Sequence, residues 1–116
     1  MKQKDLLKET TGSLYARFGL SQCDITPPVG IYSRNWGAAA FDQATAVHQP
    51  LLMHCLAMQS CDGLPAILLT ADLGWWKNAA DEQNLRLALL SHFNLAESQL
   101  IFALSHTHAG PGICST

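Results

Sequence analysis

The chain has 116 residues, a formal net charge of −2, and only 14% charged residues against 48% apolar ones. That balance leaves no basic surface for nucleic acid, and no apolar stretch approaches the roughly 20 residues of a membrane span. Average soluble domains carry about 25% charge, so a chain this poor in charge reads as part of something larger, with surface to be covered by more polypeptide.

Lys2, Lys4 and Lys8 open the chain, but no apolar run of signal-peptide length follows them. Residues 1–13 read as a flexible tail, with a frayed helical turn from Asp5 to Glu9. The missing leader reads as a cytoplasmic protein. Its four thiols, Cys23, Cys55, Cys61 and Cys114, are then expected reduced and mostly buried. No Cys-x-x-Cys pair is present, which argues against a zinc ribbon. Cys55 and Cys61 flank a turn and are close enough in sequence to pair.

Leu14 to Leu20 shows some alternation and two aromatics and reads as a first strand. Asp24-Ile25-Thr26-Pro27-Pro28 closes it, because two prolines impose extended backbone and remove two donors. Val29 to Val47 is a long Gly-, Ala- and aromatic-rich connection containing Arg34, Asn35, Trp36 and Gly37. Connections of this length line a site or lie on the surface. The first reading turns Arg34 or Trp36 toward substrate; the second pins a surface loop by a buried Trp36, and is preferred.

Leu51 to Gln59 alternates imperfectly. Asp62-Gly63 is a turn signal, and the apolar run Pro65 to Leu69 suits a central strand. These two strands are expected to form an antiparallel hairpin ending at Thr70-Ala71-Asp72. Asn78 is a candidate N-cap, with Asp81 and Glu82 in the first turn of the helix it starts. Leu85, Leu89 and Leu90, joined by Leu87 and Phe93, mark its apolar face. The helix should stop before Asn94, and a strand from Ser98 or Gln99 leads to His106. The result is an α/β fold: a mixed sheet with a β-hairpin and a right-handed βαβ unit. The parallel strands place Asp72 and His106 on one sheet edge, where open α/β sheets bind ligands.

The stretch that carries chemistry is Ser105-His106-Thr107-His108-Ala109-Gly110-Pro111-Gly112. Imidazoles at i and i+2 on a strand face one side, and neutral imidazole is the commonest metal ligand. Spacing alone leaves the bland alternative open, two hydrogen-bonded histidines at a strand end without metal. A pair also falls short of a zinc shell, which takes about four ligands, or three and water.

Ser-His-Thr-His-Ala-Gly-Pro-Gly resembles the Thr-His-Thr-His-Ser-Gly-Pro signature of the neutral/alkaline, non-lysosomal ceramidase family. Phe18-Gly19-Leu20 and Cys23-Asp24-Ile25-Thr26-Pro27-Pro28-Val29-Gly30 resemble the family's opening segment. Val47-His48-Gln49-Pro50-Leu51 and Leu69-Thr70-Ala71-Asp72-Leu73-Gly74 resemble two later segments, in the family's order. The resemblance spans about residues 15–113. It implies that residues 14–116 are the N-terminal portion of a larger ceramidase-like catalytic domain. It also implies a zinc-dependent amidase that cleaves ceramide, a lipid-like amide, to sphingosine and a fatty acid.

On that resemblance His106 is a zinc ligand, and His108 lies beside the metal, orienting it or touching substrate. The family's remaining ligands, a His, a Glu and a Tyr, and a serine proposed to act in the mechanism fall further along. The missing C-terminal part is then the chain's natural partner, and the 116 residues are expected inactive alone. Asp72 either accepts an imidazole N–H from His106 or His108 or caps the loop after its strand. His48, beside Pro50, and His54 read as ordinary polar contacts, although His48 is placed to reach a cleft. His92 sits at a helix C-terminus, where a cation is favourable. Trp75-Trp76 packs against further chain or contacts lipid. Two other functions stay open: a non-catalytic remnant or binding module with the same fold, and a family hydrolase of another amide or ester.

Overall fold

The computed structural model describes residues 15–113; the expected tail, Leu14 and Cys114 to Thr116 lie outside them. Four strands form one mixed sheet in sequential order. They are β1 (Ala16–Asp24), β2 (Leu52–Ser60), β3 (Ala66–Ala71) and β4 (Leu100–Leu104), with an α-helix, α1 (Ala79–Phe93), and a short 3-10 turn (Glu97–Gln99) between β3 and β4.

β1 pairs antiparallel with β2, and β2 antiparallel with β3. The hairpin is as the Asp62-Gly63 signal predicts, and Gly63 N donates to Ser60 O across it. β3 and β4 are parallel, with Ala71 beside Leu104, so helix α1 makes the expected crossover. β1 starts two residues later than the pattern predicts and runs to Asp24. Ser21, Gln22 and Cys23 carry no apolar alternation, but they pair with Cys55, His54 and Met53. Ladder pairing with a neighbour overrides weak local preference.

Alternation sorts the sheet into two faces. Leu69, Ala71 and Leu100, the buried apolar side chains, stand on one, where Trp76 also lies against Phe102 with rings 5.9 Å apart. On the other, Leu20, Leu56, Leu68 and Ile101 form one row across all four strands. The ends of that row are open to solvent, Leu20 at 82% and Ile101 at 62% exposure.

Helix α1 begins and ends where its capping residues dictate. Asn78 Oδ1 accepts from Ala80 N at 2.9 Å, satisfying one orphan donor. Asn94 adopts a left-handed conformation (φ 52°) and its N–H closes onto the last turn, a conformation Asn tolerates better than most residues. The expected apolar face is only half realised. Leu89 and Leu90 are half-buried, whereas Leu85, Leu87 and Phe93 are exposed. The ring of Phe93 rests edge-on against His92 instead. What ties the crossover to the sheet is polar: Arg86 Nη1 donates to Leu100 O at 3.3 Å, and Gln99 Nε2 donates to Pro65 O at 2.6 Å.

Two further expectations are corrected. The thiols are not mostly buried: of the free cysteines Cys23, Cys55 and Cys61, Cys23 and Cys61 are exposed. Trp36 does not pin its loop from the interior, being 55% exposed.

Candidate functional site

The parallel pairing of β3 and β4 delivers two chain segments to one edge. Ser105 N donates to Ala71 O at 2.9 Å, and Asp72 N donates to Leu52 O at the same distance. Strand character stops at Leu104, before the histidines, and His106 is left-handed (φ 58°). The two imidazoles therefore do not meet through a strand pleat, as the spacing predicts, but through a turn. They meet nonetheless: the rings of His106 and His108 lie 5.1 Å apart at 76°.

Aromatic rings enclose the pair. Trp75, just after the Asp72-Leu73-Gly74 exit of β3, lies 5.4 Å from His106 and 5.5 Å from His108. Trp36 stands edge-on to His108 at 4.9 Å. Trp36, one of the two loop residues put forward for a site, thus reaches it, whereas Arg34 is engaged with Asp42 at 2.9 Å. Trp75 contacts imidazoles of this same chain, and its neighbour Trp76 turns to the sheet.

The residue that fastens this loop is Asn35, which is 6% exposed. Its side-chain amide donates to Gly110 O at 2.6 Å, and its backbone carbonyl lies 2.8 Å from His108 Nδ1. Glycines make room for it. A Cβ at Gly112 would stand 3.0 Å from Asn35 Oδ1, and one at Gly74 3.3 Å from Nδ2. No motif singled out Asn35; the available signal was Gly74, Gly110 and Gly112, three small residues around a polar one.

On the other side of the imidazole turn is a cleft of about 560 Å³. Ser105, Thr107 and Ala109 line it, alternating with the two histidines that do not. Its walls are mostly apolar, from Pro27, Val29, Val47 and Leu51, and it also receives His48 and Asp72. His48 thus reaches a cleft, while His54 stands on the sheet opposite Gln22 and Thr70. The Asp72 carboxylate accepts from Leu52 N at 3.0 Å, so it ties β2 to β3 and is hydrogen-bonded to neither imidazole.

The donor chemistry suits zinc as part of a shell. Two imidazoles stand together, and His106 has no hydrogen-bond partner among the described residues. No third His, Cys, Asp or Glu joins them among the described residues, so at least one further protein ligand would have to come from elsewhere.

No family model matches the chain, and no curated protein matches it. Solved structures do. Neutral ceramidase from Pseudomonas aeruginosa superposes on 87% of the chain with a TM-score of 0.63 at 20% identity. A ceramidase complexed with C2 superposes on 86% with a TM-score of 0.62 at 26% identity. In each case the match spans only 16% of the ceramidase. No helix of the described residues is long and apolar enough to cross a membrane. The described residues thus share the fold of one segment of these ceramidase structures.

Proposed function

We propose that the chain is the part of a ceramidase-like, zinc-dependent amide hydrolase that contributes His106 as a metal ligand. The remaining ligands would come from polypeptide outside the 116 residues. The observation that carries this reading is the pair of imidazoles standing together at the parallel-strand edge of a fold shared with ceramidases. A bound zinc would polarise the amide carbonyl and bring the pKa of water down toward about 7. His106 would hold the ion, and His108 would stand beside it, touching substrate. The apolar walls of the neighbouring cleft suit an alkyl chain of a lipid-like amide, with Asp72 and His48 at its polar positions.

The test is zinc content per chain, by elemental analysis, in protein that carries the complete ligand set, with ceramide turnover measured alongside. His106→Ala should lose zinc and turnover together. His108→Ala should weaken zinc by about 10- to 100-fold, and added zinc should restore it in part. Full occupancy in His106→Ala with loss in His108→Ala would reverse the two roles. Full occupancy in both would remove the motif from the metal site, and a binding module with this fold would replace the enzyme.

A further inference from the structure

The contact between Asn35 and His108 constrains where the hydrogen on the imidazole sits. The Asn35 carbonyl oxygen only accepts, so at 2.8 Å the hydrogen of this bond is on Nδ1. A neutral imidazole carries one N–H, and with that hydrogen on Nδ1 the other nitrogen, Nε2, is bare. The geometry points to Asn35 as a positioning residue that holds His108 in the Nδ1–H form and offers Nε2 as a hydrogen-bond acceptor.

Three observations make this more than a loop contact. Asn35 is held from its far end, because its side-chain amide donates to Gly110 O at 2.6 Å, two residues beyond the imidazole it serves. The carbonyl that meets Nδ1 is therefore set by a side chain anchored in the same turn. Gly74 and Gly112 leave the space the amide occupies. Trp36, the next residue, meets the same ring edge-on at 4.9 Å, so one short segment fixes both the plane of the imidazole and its tautomer. The other groups facing the ring are Trp75 and His106. Which imidazole nitrogen is left bare is commonly set by the hydrogen bond the other makes, often Nδ1–H to a backbone carbonyl.

The use of the bare nitrogen rests on the function proposed above, where it accepts from an N–H or O–H of the amide substrate. The tautomer itself does not need zinc, so the two can fail separately. The experiment is a multiple-bond proton–nitrogen spectrum of the 116-residue chain labelled with ¹⁵N-histidine, recorded without metal at a pH where the imidazoles are neutral. Should the chain sediment, the same nitrogens are read by magic-angle spinning. His108→Gln assigns the signal.

The expected result is the Nδ1–H form at His108, against the Nε2–H form at exposed His92. Asn35→Ala, and the isosteric Asn35→Asp, which has no amide to donate to Gly110, should move His108 to the His92 pattern. Trp36→Phe should leave it unchanged. The Nε2–H form at His108 in the unmodified chain overturns the proposal, as does retention of the Nδ1–H form in either folded Asn35 variant. If both variants unfold, the tautomer of the unmodified chain and of Trp36→Phe decides.

Discussion

Asp72 grips Leu52 from both ends: its amide donates to the Leu52 carbonyl at 2.9 Å, and its carboxylate accepts from the Leu52 amide at 3.0 Å. The contact joins the exit of β3 to the start of β2. On the other flank, Thr26 Oγ1 accepts from Leu51 N at 2.8 Å. Both sides of the point where chain enters β2 are therefore held by side-chain oxygens, and both line the cleft. Asp72→Ala should leave the Leu52 donor without its acceptor and cost about 1–2 kcal/mol. Asp72→Asn keeps an oxygen there and should cost less than half as much. Urea denaturation followed by the sheet signal checks this. Unchanged stability in Asp72→Ala, with loss of zinc, would mean instead that the carboxylate serves an imidazole.

The carboxyl of Asp24 should titrate below the ordinary aspartate value of 3.8. The larger cause is the Thr26 hydroxyl, followed by the Thr26 backbone N–H, which donates to Asp24 Oδ1 at 2.8 Å. Both favour the charged form. The sign follows from linkage: a depressed folded-state pKa adds stability above 3.8, and that stability is lost as pH falls through the folded value. Because Asp24 is solvent-exposed the effect on stability is small, so the titration itself is the measurement. Carbon-detected NMR should find the Asp24 midpoint moving up toward 3.8 in Thr26→Val. An unmoved midpoint would assign the whole shift to the backbone N–H.

The open row Leu20, Leu56, Leu68 and Ile101 should make the isolated chain self-associate. Exposed apolar surface of this extent seeks a cover, and β1 is an edge strand exposed along its whole length. Leu20→Lys with Ile101→Lys should shift sedimentation toward monomer without disturbing the buried Leu69, Ala71 and Leu100 on the opposite face. A concentration-independent monomer before substitution would show that the row needs no cover.

The 116 residues alone should not hydrolyse ceramide at a measurable rate. Two imidazoles fill at most half of a zinc shell of about four ligands. Turnover of labelled ceramide by the purified chain, abolished by His106→Ala, would contradict this and would mean that a second copy or an unexpected residue completes the site.

Much of the frame can be read without coordinates. Asp62-Gly63 marks the hairpin, Asn78 and Asn94 bound the helix, and the run before Ser105 is β4. The first two rest on one local interaction, a turn or a cap, that outweighs tertiary context, and the third on an unbroken apolar run. The site is less legible. His-x-His suggested a shared strand face, yet the strand stops at Leu104 and a left-handed His106 does the gathering. The role of Asn35 is not legible in its own segment, because it is set by Gly110, 75 positions away. The helix misled differently: its leucines repeat at helical spacing, but in these residues the face they form is only partly covered.

The separation of Asn35 and Gly110 also sets an order of assembly. Closing a loop of that length in an unpaired chain costs roughly 4 kcal/mol of entropy, more than one hydrogen bond returns. Pairing of β1 with β2 and of β3 with β4 shortens the effective loop first, so the latch closes late, on a sheet already formed. During synthesis Asn35 leaves the ribosome long before its acceptor exists. Until Gly110 follows, the growing chain holds the residues of β1 and the Trp36 loop with no imidazole turn to close on, and the edge that gathers the two imidazoles is the last part of these residues to take shape.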